Sequence, residues 1–192
     1  MERRELLKMI AAATGAAMIG IPGFVYGQAP APNGKSAFSA TDIALLDEVA
    51  DTILPRTKTP GAKDAGAGPF MALYVTDCYT PENLAIFRAG LADLDKRAGG
   101  RFVALAPQAR TELLRALDAE ARDYLSTAKA AAGGASKGPV KPHYFTMLKQ
   151  LSIFTFFTSQ VGANEALQYV AVPGRYDGDM PYVPGTPAWA TD

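Results

Sequence analysis

The sequence predicts an all-α protein, a small domain of five to six helices with long irregular Pro/Gly-rich loops and a C-terminal tail. Three observations predict it. Apolar residues recur at helical spacing in several stretches. Each stretch is bracketed by capping residues, proline or paired glycines. No segment alternates with β-branched residues in the way a half-buried strand does.

Taken in order, the first helix starts at Ser39, with Asp42 three residues on as a capping-box partner. Phe38 and Ile43 sit at the positions of a hydrophobic staple. Ile43, Leu46, Ala50 and Ile53 follow on one face, and Pro55 ends the helix. Residues 55–68 read as a loop, and Gly68-Pro69 opens a short second helix to about Cys78. Thr80-Pro81 starts a third, with Leu84, Phe87, Leu91, Leu94 and Ala98 on one face and Gly99-Gly100 as its stop. Pro107 opens a fourth, with Leu113, Leu114, Leu117, Ala121 and Tyr124 facing inward, and residues 128–141 read as a flexible connection. Pro142 opens the fifth, from Tyr144 to about Thr158, apolar on nearly every side and so buried in a core or under a partner. A shorter helix is expected over Asn164–Tyr169, and the Pro/Gly-rich tail after it as irregular chain.

The front of the chain is different. Met1–Lys8 is charged, and Met9–Val25 carries no charge, the order of an export signal. Arg3, Arg4, Leu7 and Lys8 resemble the twin-arginine motif Ser/Thr-Arg-Arg-x-Phe-Leu-Lys, with Glu2 and Leu6 as departures. Residues 1–27 are therefore read as a twin-arginine signal peptide, 28–37 as a linker and 38–192 as the helical domain. Cleavage after Gly27 and retention as an N-terminal tether both remain open. The expected location is the periplasm, reached in the folded state through the twin-arginine translocase.

Composition excludes several functions. Lys plus Arg equals Asp plus Glu, at 19 each, so no basic excess exists for nucleic acid. One cysteine and one histidine supply neither an internal disulfide nor a Cys/His metal set. His143 lacks a nucleophile partner and reads as a polar residue at a helix start. Cys78 reads as a small buried hydrophobe, or else as a thiol for an inter-chain disulfide. Gly61–Gly68 follows no strand and lacks the Gly-Lys-Ser/Thr of a phosphate loop. Asp93, Asp118 and Glu120 read as solvated faces or intrahelical pairs. No catalytic, cofactor-binding or metal-binding residue is assigned, and the chain is not expected to be an enzyme by itself.

Four stretches carry a resemblance. The first is Ile53-Leu54-Pro55-Arg56-Thr57-Lys58-Thr59-Pro60-Gly61-Ala62, continuing to Asp64-Ala65-Gly66. The others are Phe87–Asp95, Leu148–Gly162 and Leu167–Asp179, the last containing Tyr169-Val170-Ala171-Val172-Pro173-Gly174-Arg175-Tyr176. In this order they resemble the small (gamma) subunit of gluconate 2-dehydrogenase, subunit 3, over residues ~40 to ~180, with Lys58 where the family has Asp. The resemblance implies a non-catalytic subunit of a complex that oxidises sugars, sugar acids, polyols or glycosides. It implies a large GMC-type catalytic subunit holding FAD, a cytochrome c subunit with haem c in some complexes, and a small subunit that carries the export signal and assists maturation. Arg56, Arg175, Tyr176, Tyr182 and Trp189 are residue types that anchor interfaces and lie in the two irregular segments, so they are the candidate partner contacts. Two other readings stand beside this one: an independent exported helical enzyme, and a signal-anchored periplasmic binding or structural protein.

Overall fold

The computed structural model describes residues 37–132, 141–172, 174–175, 178–181 and 183–190, with side chains for all of these except 129–132. The signal peptide and nearly all of the linker lie outside the described residues. Among those described there are five α-helices, a 3₁₀ turn and a π turn, and no strand. None of these helices is long and apolar enough to cross a membrane.

Helix α1 (Ala40–Ile53) starts as its sequence predicts. The Asp42 amide donates to Ser39 Oγ at 3.2 Å, and the Ser39 amide donates to Asp42 Oδ2 at 2.8 Å. Phe38 is buried in the core, edge-on to Phe87 at 5.9 Å, and Ile43 packs partly buried against the same cluster. Leu45 and Val49 join Leu46 and Ala50 inside, while Ile43 and Ile53 of the expected stripe are only partly buried, so the buried face is shifted.

The loop after Pro55 is tied to its own domain. The Ala62 amide donates to the Leu54 carbonyl at 2.9 Å, and the Gly61 amide to Asp64 Oδ2 at 2.7 Å. Gly61 and Ala62 are buried. Helix α2 (Ala67–Cys78) begins one residue before the expected Gly68 and two before Pro69. Gly66, in the left-handed region at φ 66°, turns the chain, and Asp47 of α1 accepts from the Gly68 amide at 2.7 Å. A cap supplied from a neighbouring helix leaves no local trace. Gly68 itself has no room for a side chain, since a Cβ would lie 2.7 Å from the Ile43 carbonyl oxygen.

Helix α3 (Pro81–Arg97) has Thr80 as its N-cap, accepting from the Asn83 amide at 3.3 Å, with Pro81 at the first position. Gly99 at φ 74° and Gly100 close it, their amides donating to the Lys96 and Asp95 carbonyls at 3.1 and 3.0 Å. A 3₁₀ turn over Phe102–Ala104 follows. It sinks Phe102 completely, and Asp95 Oδ1 accepts from the Phe102 amide at 2.8 Å.

Helix α4 (Pro107–Ala132) runs past the expected stop, because Ala128 to Ala132 are strong helix formers. Leu114, Leu117 and Ala121 are buried and Leu113 is partly so. Tyr124 is exposed rather than inward; its hydroxyl donates to the Lys141 carbonyl at 3.1 Å.

Helix α5 (Tyr144–Phe157) packs against each of the other four, which explains its apolar circumference. Its cap is His143, whose Nδ1 accepts from the Phe145 amide at 3.2 Å. Tyr144 lies over Gly90 of α3, where a Cβ would run into the tyrosine ring. Gly90→Ala is expected to cost ~2 kcal/mol as an overpacked core substitution. The readout is a lower midpoint in chemical denaturation at unchanged slope; a wild-type midpoint would mean that the α3–α5 contact has slack.

After α5 the chain makes a π turn at Gly162–Ala166 in place of the α-helix expected over Asn164–Tyr169. The reason is steric. Gly162 sits so close that a Cβ there would overlap the Phe156 carbonyl, and the turn folds back on the end of α5.

Candidate partner-binding surface

Several charged residues of the helices pair across the domain. Arg97 donates to Asp93 at 2.6 Å and to both oxygens of Glu120 at 2.6 and 3.0 Å. The Tyr144 hydroxyl donates to Asp93 Oδ2 at 2.8 Å, and His143 Nε2 lies 3.6 Å from Glu120. One network thus rivets α3, α4 and α5, beyond the intrahelical pairing the sequence suggested. Burial opposes ionisation of Asp93, yet the Tyr144 and Arg97 hydrogen bonds hold its carboxyl below the usual range. Arg97 does the same for Glu120. Both folded-state values are depressed, so this stabilisation is present above the ordinary carboxyl range and lost as pH falls through the depressed values. Burial, with the bond to Asp93, pushes the Tyr144 hydroxyl strongly upward.

A second set of pairs centres on Glu48. It takes Arg110 of α4 and Lys63 of the loop, and Arg110 Nη2 also donates to the Val103 carbonyl at 2.7 Å. Among the described residues no group of three or more His, Cys, Asp or Glu side chains is placed to hold a metal ion. No strand–turn–helix cradle for a dinucleotide is found among them either.

The outward surface is of another kind. Phe70 and Tyr74 of α2 stack at 6.1 Å, and Phe154 of α5 lies 6.4 Å from Phe70 and 5.4 Å from Tyr74. Phe157 lies one turn on from Phe154 on α5, whereas Ile153 faces the groove against α4 with Asp118, Arg122 and Leu125. Phe70, Ile153, Phe154 and Phe157 are each 36–43% exposed. Helices α2 and α5 carry only Asp77 and Lys149 as charges, and Asp118 and Arg122 of α4 border Ile153. The sequence reading missed the α2 half. Its clue was that Phe70 and Tyr74 stand four apart on a helix whose inward positions are already filled by Met71 and Val75.

The tail forms a strap. The Gln168 amide donates to the Ala188 carbonyl and its carbonyl accepts from Ala190, both at 2.8 Å, and Gln168 Nε2 donates to the Pro187 carbonyl at 2.6 Å. This is an isolated parallel bridge between Gln168 and Trp189. Between its ends the chain turns at Gly174 and Gly185, at φ 76° and 86°. Tyr169, Val170, Val172, Met180, Val183 and Trp189 are 45–81% exposed, so the domain's own core does not cover them.

The anticipated contact residues fall in different places. Arg56 is exposed on the loop after α1 and pairs with Asp64, whose carboxyl is held low by the Gly61 amide and by that arginine. Arg175 is exposed on the strap, and Trp189 is half-exposed at its clasp. Arg56 and the strap residues come from separate segments. Tyr176 and Tyr182 lie outside the described residues, as do Arg3, Arg4, Leu7 and Lys8 of the export motif. Cys78 is exposed at the end of α2, not buried. Tyr79, the next residue, turns inward in its stead, edge-on to Phe87 at 5.8 Å.

Comparison with known proteins bears on the whole domain. No curated protein and no solved structure gives a significant match. Residues 40–174 match the family described as gluconate 2-dehydrogenase subunit 3, a span running from the first residue of α1 into the strap. The chain with this five-helix core and outward apolar surface belongs to the gluconate 2-dehydrogenase subunit 3 family.

Proposed function

We propose that this chain is the non-catalytic small subunit of a periplasmic FAD-dependent dehydrogenase that oxidises sugars, sugar acids, polyols or glycosides. It carries the twin-arginine signal for the complex and supports folding and stability of the large GMC-type FAD subunit. A cytochrome c subunit with haem c completes the assembly where electrons leave by that route. FAD belongs to the partner.

The observation that supports this reading best is the apolar surface a single domain leaves open, on a chain of a family named as a dehydrogenase subunit. A soluble monomer rarely keeps a large contiguous apolar patch without a binding role. Three of the ion pairs, Arg97–Glu120, Arg110–Glu48 and Lys149–Asp118, meanwhile join helices of the domain.

The test is purification of the tagged full chain from its own periplasm and, separately, after expression alone. A yellow, flavin-containing complex is expected with the partner, and a colourless chain without dehydrogenase activity alone. Stoichiometric flavin held by the isolated chain would instead favour an independent enzyme.

A truncation separates the strap from the core. Every helix precedes residue 174, so deleting residues 174–192 removes the partners of Gln168 and no helical residue. Helical circular dichroism is expected to persist while co-purification of the flavin subunit falls sharply. Collapse of helicity would assign the strap to the domain's own stability.

A further inference from the structure

We infer that the groove between α4 and α5 receives an acidic side chain of the flavin subunit together with an apolar neighbour of it. This rests on the reading above that the chain is the small subunit of a flavin dehydrogenase.

Shape is the first argument. The groove encloses about 270 Å³. That is below the ~300–1,000 Å³ of pockets built for cofactors and other small molecules, so it suits side chains of a partner surface. Ala121 and Leu125 of α4 and Ile153 of α5 give it an apolar lining. Ala121 is buried, whereas Leu125 and Ile153 are 41% and 38% exposed. An apolar side chain of the partner laid between these two takes both out of water.

Charge is the second argument. Lys149 Nζ donates to Asp118 Oδ1 at 2.7 Å, and Arg122 Nη2 donates to Asp118 Oδ2. Asp118 is the one acid among the residues lining the groove, and both of its oxygens are thus engaged. The Lys149 hydrogen bond, against the opposing effect of burial, and then Arg122 hold that carboxyl below its usual range, so it stays ionised. Two cations against one carboxylate leave the groove positive. Each cation keeps N–H groups that Asp118 does not take, and the Arg122 side chain is 75% exposed. A carboxylate of the partner supplies the acceptors that these N–H groups lack.

The same charge tells against a second copy of this chain as the occupant. A two-fold pair centred on the groove would bring its like-charged rims together. Asp118 also holds Lys149 and Arg122 in place before any partner arrives, which lowers the ordering cost of binding.

The experiment uses the full chain and the flavin subunit. Lining variant Leu125→Ser and rim variant Arg122→Ala are compared with wild type for thermal midpoint and for dissociation constant at low and high salt. Lys96→Ala, at an exposed cation on α3, is the control. Both groove variants are expected to bind roughly tenfold or more weakly, and Lys96→Ala as wild type. Arg122→Ala is also expected to lose part of the salt dependence. Carbodiimide coupling of the wild-type complex reads the contact without a substitution, in case a variant folds poorly. It is expected to join Lys149 to an aspartate or glutamate of the flavin subunit. Wild-type affinity in either folded groove variant, an equal loss in Lys96→Ala, or coupling of Lys149 to Asp118 alone overturns the groove contact and leaves the proposed function standing. A wild-type homodimer that Arg122→Ala dissolves also overturns it, with a second copy as the occupant. Failure of the wild-type chain to bind the flavin subunit at all counts against the proposed function itself, and the groove contact falls with it.

Discussion

Replacing Arg3 and Arg4 with lysine is expected to leave both this chain and the flavin subunit in the cytoplasm and to abolish periplasmic dehydrogenase activity. Lysine keeps both positive charges but not the planar guanidinium fork, so the substitution tests recognition of that fork and not of charge. The expected effect is large because, in the proposed role, the flavin subunit crosses only as a folded complex with this chain. Cell fractionation, with immunoblots for both chains and activity in each fraction, measures it. Activity that persists in the periplasm of the lysine variant would sink the carrier role. Fusing an export signal directly to the flavin subunit then separates carriage from maturation. Activity restored by that fusion without this chain would limit the small subunit to transport.

Glu48→Ala is expected to destabilise the helical domain by about 1–3 kcal/mol, the cost of leaving a half-buried charge without its ion-pair partner. Glu48 and Arg110 are 18% and 15% exposed, and their pairing joins α1 to α4 across 62 residues of sequence. The guanidinium that remains keeps only the Val103 carbonyl, and its Nε is already without a hydrogen-bond partner. Against a typical total of ~5–15 kcal/mol, such a loss is a large part of the stability. Removing both charges, as Glu48→Leu with Arg110→Met, is expected to restore most of it, because nothing charged is then stranded. Urea denaturation of the single and double variants measures this. A double variant as unstable as the single would show that packing, and not the stranded charge, sets the cost.

Much of the helical framework was legible along the chain because caps are local. Ser39 with Asp42, Thr80 with Pro81, and Gly99-Gly100 satisfy end groups within five residues of themselves, and each marks a helix end where it was expected. The family resemblance was equally legible, since it lies in contiguous stretches such as the Pro55-Arg56 loop. Tertiary structure decided what depends on distant partners. Helix α2 starts where Asp47, 21 residues away, caps Gly68, and the 3₁₀ turn at Phe102 leans on Asp95. At the π turn Gly162 passes the Phe156 carbonyl too closely for any side chain, a contact set by packing. Most of all, the pattern of α5 could not say which of its sides would stay open. A helix apolar all round carries no direction in its sequence. Only the packing of four neighbours, covering Phe145, Leu148, Leu151 and Phe156, left Ile153, Phe154 and Phe157 at the surface.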